Sequence, residues 1–481
     1  MAESFSSPIL DELHWRGFVK DITHPELDEV LEEESVTLYC GFDPTAKSLH
    51  VGNMIGLMAL AHFYRHGHQA IAVVGGATGL VGDPSGKDEE REFMDTDRLE
   101  SNLASISAQM QTFLDRVGER GGDSSSRVEI QGVSTDEESD KKTSMGHFST
   151  STSEARGTVV RRDVGTHVEV LNNADWLQGI TFLDFLRDVG KCFSVNAMMA
   201  KDSVRTRLEE REHGISFTEF SYMLMQAYDF LHLYDERGCR LQIGGSDQWG
   251  NITAGTDLIG RKSSPDGEQA FGLTFPLLTT AEGKKFGKSV EGAVFLDAEM
   301  TSPYDFYQFW VNVDDRDCGR LLRLFTFLPR HEIQSMEQTI EDGENRGEVQ
   351  RRLASEVTSL VHGEEEVQKV VRASKMLFGE KIEGLSDDDL RSIFSDVPST
   401  EIPRQRLRSG EFDVIDAFVD TDLQRSRGAT RRLIKQGGAY LNNVRIEDRD
   451  RALGEQDLAS ETMMVLRSGK KNYHVLRFVE E

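Results

Sequence analysis

The chain has 481 residues, 38% of them hydrophobic and 29% charged, with a formal net charge of −28. That length divides into two or three domains each able to bury a core, and no apolar run reaches the roughly 18 residues of a membrane span. The acid excess taken alone argues against a nucleic-acid partner; it leaves room for a local basic patch, and it is also a balance that suits solubility at high salt.

The N-terminus, MAESFSSPILDELHW, is acidic and reads as neither a signal nor an organellar presequence, so a cytosolic protein is expected. Cys40, Cys192, Cys239 and Cys318 lie far apart with no CxxC pair. Reduced, buried thiols are therefore expected, with neither a disulfide framework nor a zinc site.

Residues 36–40 (VTLYC) and 71–75 (IAVVG) read as short strands. Between them, 50–66 has helical spacing at Met54, Leu57, Met58 and Ala61 and ends near Gly67. Strand, crossover helix and strand form a βαβ unit with a parallel sheet. Further strands are expected at 240–244, 275–279 and 293–296, so residues 1–301 read as a doubly wound α/β domain with its ligands at the carboxyl ends of the strands. Residues 118–160 are rich in Ser, Thr, Gly and acid, and read as a low-complexity surface insertion. From 302 to 395 the pattern is helical, as in EVQRRLASEVTSLVHG. Residues 396–410 read as a linker, and 411–481 as a small α+β module with a helix over 426–436 and strands around 439–446, 462–467 and 472–479. Arg425, Arg427, Arg431, Arg432 and Lys435 fall at the start of or along that helix, either as a solvated face or as an RNA or phosphate contact.

Generic nucleotide motifs fail on count. GKKFGKS (283–289) and GDPSGKD (82–88) each place three residues where a P-loop needs four, and GGATGLVG (75–82) lacks the GxGxxG spacing. What remains is a series of segments at strand ends or on one helix face: YCGFDPTAKSLHVGN (39–53), GGATGLVGDPSGK (75–87), SYMLMQAYDF (221–230), QIGGSDQWGN (242–251) and KKFGKS (284–289). Tyr222, Gln226 and Asp229 stand at i, i+4 and i+7, on one side of a helix. Each segment alone has a bland reading as core or turn; their occurrence together, in this order, does not.

This series resembles the bacterial-type tyrosyl-tRNA synthetases of the class I aminoacyl-tRNA synthetases. LHVGN resembles the HIGH signature and KFGKS the KMSKS loop, while YCGFDPTA, GDPSGK, FSYMLMQAYDF and GGSDQWGN resemble that family in particular. The likeness covers nearly the whole chain outside the insertion and the extreme N-terminus, and implies a Rossmann-like catalytic domain, a helical tRNA-binding domain and a C-terminal RNA-binding module. It also implies ATP-dependent activation of L-tyrosine and transfer to tRNA(Tyr) by a homodimer, with Mg²⁺ accompanying ATP and no other cofactor, metal site or membrane partner.

By that resemblance Thr45, His50, Lys87, Arg91, Lys285 and Lys288 serve the polyphosphate. Gly52, Asn53, Gly245 and Asp247, with His50 and Lys288, bind the nucleotide. Asp83, Tyr222 and Gln226, with Asp43 and Gln248 nearby, take the ammonium of tyrosine. Tyr39 and Asp229 take its hydroxyl, a pair that phenylalanine leaves unsatisfied. Arg431, Arg432 and Lys435 face tRNA. Two alternatives stand beside this reading: a tryptophanyl or related adenylyl-transferring enzyme, and a non-catalytic RNA-binding protein on the same scaffold. The Tyr39/Asp229 pair speaks against the first, the cationic loop against the second.

Overall fold

The computed structural model describes the chain apart from residues 1–3, 84–94, 122–167, 202–203, 206–214, 264–266, 290–291, 344–345, 378, 380, 395–396, 411, 470–471 and 481. Its main sheet has six strands: β1 (Asp21–Ile22), β2 (Thr37–Phe42), β3 (Gln69–Val74), β4 (Glu169–Asn172), β5 (Cys239–Gly245) and β6 (Phe271–Phe275). They lie in the order β1-β6-β5-β2-β3-β4. All neighbours are parallel except β1, which runs antiparallel along the β6 edge. The chain winds from β2 outward through β3 and β4, then returns to β5 and β6 on the other side. The switch point of this doubly wound sheet is therefore between β2 and β5, where such folds open a ligand crevice.

Both faces of the central strands are buried, as a parallel sheet requires. Along β2, Leu38, Cys40 and Phe42 enter one core, shared with the buried helix Met54–Arg65, and Tyr39 enters the other. That first core runs on without a break into the helices beyond residue 302, through Phe306, Trp310, Leu321, Phe325, Leu353 and Val357. Arg16, buried on the N-terminal helix Pro8–Arg16, reinforces the junction by donating to the carbonyl oxygens of Thr326 and Leu328, each at 2.8 Å. The helical region is thus continuous in packing with the sheet.

Three expected elements fall differently. The strand sought at 275–279 lies instead over Phe271–Phe275, because Pro276 has no N–H to give the ladder. Residues 293–296 add only a two-strand ribbon, β7 (Lys288–Ser289) with β8 (Gly292–Ala293), and a bridge from Phe295 to His50. The first four residues assigned to the insertion, 118–121, complete the helix Thr96–Gly121, and 122–160 lie outside the described residues.

The C-terminal sheet joins β9 (Ser399–Pro403), β10 (Ala439–Leu441), β11 (Val444–Arg445), β12 (Met463–Ser468) and β13 (Asn472–Val479) in the order β11-β10-β12-β13-β9. β9 sits inside the stretch expected to be a linker: paired in parallel with β13, it is an edge strand of the module. One face of this sheet packs on Phe412, Phe418 and Ile434, the other on Ile382, Leu390 and Phe394.

Candidate active site

A cleft of about 390 Å³ opens at the carboxyl ends of β2, β3, β5 and β6. The local sequence explains its walls. The helix Phe217–Arg237 is fixed at its start by a capping box: Glu219 N–H donates to Ser216 Oγ at 3.2 Å and Ser216 N–H to Glu219 Oε2 at 3.3 Å. Gly238 ends it in the left-handed conformation, φ 62°. Tyr222, Gln226 and Asp229 consequently present one face, and all three line the cleft.

At the closed end Tyr39 and Asp229 are buried, with 2% and 4% of their surface exposed. The Tyr39 hydroxyl makes no hydrogen bond among the described residues. Burial, and then the charge of Asp229, hold its pKa well above the ordinary 10, so it remains a neutral donor. Asp229 is pushed up to about 7 by burial, against two hydrogen bonds that favour its charged form. These come from Trp176 Nε1 to Oδ1 at 2.7 Å and from Asn173 Nδ2 to Oδ2 at 3.0 Å. Trp176 is stacked on His232, with centroids 4.7 Å apart and planes at 17°.

Nearer the mouth, Tyr222 OH donates to Asp43 Oδ1 at 3.4 Å and Gln248 Nε2 to Asp83 Oδ2 at 2.6 Å. Asn251 Nδ2 donates to both Gln226 Oε1 at 3.0 Å and Gln248 Oε1 at 3.1 Å. Two carboxylates oriented by neutral amides and a phenol form a socket for a small cation.

On the far side, His50 starts the turn Val51–Asn53 that runs straight into the helix Met54–Arg65. Gly52, Asn53, Ile55 and Gly56, at this helix start, line the cleft, an end of a helix suited to anions. Asn53 Oδ1 accepts from the His50 backbone N–H at 3.0 Å, leaving its amide nitrogen for other donations. At Gly245, where β5 leaves the sheet, a Cβ would lie 2.5 Å from Asp247 Oδ1, so a side chain there would push the Asp247 carboxylate aside. The loop bearing Lys285 lies over this end: Gly287, at φ 91°, sits so close that a Cβ would come within 3.1 Å of the Gly52 nitrogen.

The cleft therefore gathers Tyr39, Asp43, Thr45, His50, Gly52, Asn53, Asp83, Tyr222, Gln226, Asp229, Gly245, Asp247, Gln248 and Lys285. Lys87 and Arg91 lie outside the described residues, and Lys288 is placed only by its backbone in β7. Arg431, Arg432 and Lys435 belong to the C-terminal module, exposed on the helix Arg427–Lys435 and in no ion pair among the described residues. Arg427, counted with them from sequence, is engaged instead by Asp413 and Asp416. Sequence reasoning missed Asn173, Trp176, Asn251 and Gln242. Gln242, buried on β5 beside Tyr39, lines the cleft, and its Oε1 makes no hydrogen bond among the described residues.

Residues 31–379 match the family model of class I tRNA synthetases for W and Y, and residues 389–476 the C-terminal domain model of the SYY-like tyrosine–tRNA ligases. The first of these covers most of the chain and makes it a class I tRNA synthetase. The tyrosine–tRNA ligase of Roseiflexus castenholzii is 46% identical, over 98% of this chain and 99% of its own. That of Geobacillus kaustophilus is 44% identical over 98% and 99%. Within the class, the chain belongs to the tyrosine–tRNA ligase family. In fold it is similar to a C-terminally truncated mitochondrial tyrosyl-tRNA synthetase of Aspergillus nidulans, with TM-score 0.62 and 31% identity over 78% of this chain and 95% of that one.

Proposed function

We propose that the cleft activates L-tyrosine with ATP and hands the tyrosyl group to the terminal adenosine of tRNA(Tyr), with each residue acting where its chemistry fits. The observation that carries this reading is the buried Tyr39/Asp229 pair at one end of a cleft whose other end is the His50–Asn53 turn under a lysine loop. The tyrosine hydroxyl accepts from Tyr39 and donates to Asp229. Its ammonium enters the socket of Asp43, Asp83, Tyr222, Gln226 and Gln248. Asp247 and Gly245 take the ribose, and Gly52 admits the base.

The tyrosine carboxylate then attacks the α-phosphorus of ATP in line with the departing pyrophosphate. No covalent enzyme intermediate is needed; positioning and charge stabilisation suffice. Thr45, His50, Lys285, Lys288, Lys87 and Arg91 balance the charge gathering on pyrophosphate, and Mg²⁺ enters as part of the nucleotide substrate. The basic face of Arg431, Arg432 and Lys435, with the helical region, serves tRNA.

The chain works as a homodimer in this reading. The supporting surface is an apolar groove lined by Phe182, Phe185, Leu186, Phe193, Val195 and Phe217, several of them strongly exposed. It includes Phe217, Thr218 and Phe220 at the start of the helix Phe217–Arg237. A cytosolic setting accords with the reaction, and among the described residues no helix is long and apolar enough to cross a membrane.

Amino-acid-dependent exchange of pyrophosphate into ATP tests the proposal. Exchange supported by tyrosine and not by phenylalanine or tryptophan is expected. Exchange with tryptophan would point to the tryptophanyl reading, and none with any amino acid to a binding protein on this scaffold.

A further inference from the structure

The segment GKKFGKS (283–289) holds a single apolar side chain, Phe286, among three lysines and two glycines. Gly283 and Gly287 have φ of 79° and 91°, and the loop backbone is tied by the Thr280 N–H to Lys284 O bond at 2.7 Å and the bridge of Lys285 to Thr279, which leaves the long lysine side chains to be aimed. Lysine side chains add about 2 kcal/mol of rotamer entropy each. Something outside the loop must therefore fix where its charges point.

Two contacts do so. Gly287 rests on the Gly52 nitrogen, and its carbonyl oxygen accepts from the Val294 N–H at 3.0 Å. The other contact is Phe286. Its backbone N–H donates to Leu278 O at 3.0 Å, and its ring enters the aromatic cluster of the helix Pro303–Val311. There it meets Phe309 edge-on at 5.3 Å and Trp310 at 5.7 Å. Trp310 is fully buried and also touches Phe306 and Phe325, at 6.2 Å and 5.1 Å. Along three consecutive residues the loop thus turns Lys285 to the cleft, Phe286 to the helical core and Gly287 to the nucleotide-side turn.

We infer that Phe286 is a positioning residue: it registers the lysine loop against the helical region, and acts on activation only through the lysines it holds. The inference rests on the reading of the loop as the pyrophosphate clamp. A displacement of about 1 Å in a charge that works mainly in the transition state lowers rate by up to about a hundredfold, while the tyrosine socket, built on other elements, is untouched.

The test is steady-state pyrophosphate exchange with Phe286→Ala, Lys285→Ala and the double variant of the full chain, alongside Phe286→Met and thermal unfolding of each. Phe286→Ala is expected to lower kcat by about tenfold to a hundredfold while keeping the KM for tyrosine within about twofold, and Phe286→Met to restore most of the rate. In the Lys285→Ala background, Phe286→Ala should cost much less than it does alone. Multiplicative losses in the double variant, or a tyrosine KM that rises in step with the fall in kcat, would overturn the inference and leave Phe286 as packing only. If Phe286→Ala does not fold, Phe286→Leu and Phe309→Ala carry the same comparison. A wild-type chain without tyrosine-dependent exchange would instead refute the function itself.

Discussion

Tyr39→Phe deletes one oxygen from the floor of the cleft and leaves the ring, which packs at 5.5 Å against Phe230, where it is. In the free protein that hydroxyl is buried and makes no hydrogen bond among the described residues, so it contributes desolvation without compensation. A buried polar group of this kind costs about 1–3 kcal/mol, and removing it should leave the unfolding free energy unchanged or raise it by up to that amount. Binding responds in the opposite sense. A neutral hydrogen bond to the substrate phenol contributes about 0.5–1.5 kcal/mol, so the tyrosine kcat/KM should fall by about 2-fold to 12-fold. Phenylalanine has no hydroxyl to lose, so selectivity should fall by the same factor. Pyrophosphate exchange with both amino acids gives the kinetic half, and urea unfolding the other. A variant destabilised by more than about 1 kcal/mol with unchanged tyrosine kinetics would refute the reasoning, since the hydroxyl would then be a structural donor.

The pH profile of kcat/KM for tyrosine should show a limb near 7, falling about tenfold per unit below it, because Asp229 titrates at about 7 and both its oxygens already accept from Asn173 and Trp176. Asp229→Asn should abolish that limb along with most tyrosine binding; a flat wild-type profile between pH 6 and 8 would count against the pair. Stability should fall in acid through His68, which burial pushes down to about 4 and whose Nδ1 accepts the Val36 N–H at 3.2 Å. The unfolded chain binds this proton near 6.5, so the contribution is complete above that pH and is lost as pH falls toward 4, about 3 kcal/mol in all. His68→Gln should flatten the slope of unfolding free energy against pH; an unchanged slope would mean that other groups carry it. Phe217→Asp should convert the particle to half its mass in sedimentation, with cooperative unfolding retained; an unaltered dimer would place the interface elsewhere.

The cleft was legible in the sequence through the resemblance its segments carry, and chain geometry shows why those segments converge. Asp43, Thr45 and His50 follow β2, Gly245, Asp247 and Gln248 end or follow β5, and a helical repeat aligns Tyr222, Gln226 and Asp229. A run of β-branched and apolar residues ending in glycine or aspartate marks such positions without tertiary information. Asn173 and Trp176 carried a weaker signal. A buried carboxylate at 229 demands donors, but which distant segment supplies them depends on where β4 lands in the sheet. Gln242 was marked only as a polar side chain within an apolar strand. β9 was hidden for another reason: STEIP has one strongly apolar residue and lies between prolines, and only its pairing with β13 makes it a strand. The insertion was begun at 118, before the helix stops at Gly121, because the composition turns polar there first.

The two ends of the cleft differ in burial, and under the proposed function the difference follows from what each would do. Distinguishing tyrosine from phenylalanine turns on one hydroxyl. That selection is strong only where the enzyme's partners have no water to fall back on, in keeping with the burial of Tyr39 and Asp229 and the hold on Asp229 by Trp176, itself stacked on His232. The same burial raises the Asp229 pKa, so the specificity end works at the edge of its own titration. Pyrophosphate departure poses the reverse problem. A cation buried beside ATP in the ground state would bind substrate and transition state alike and gain no rate. Lys285 is accordingly exposed on a loop flanked by Gly283 and Gly287, placed to engage as charge develops. Recognition and charge neutralisation therefore come from different elements, and Phe286 and Gly287 are where the lysine loop is tied to the rest of the domain.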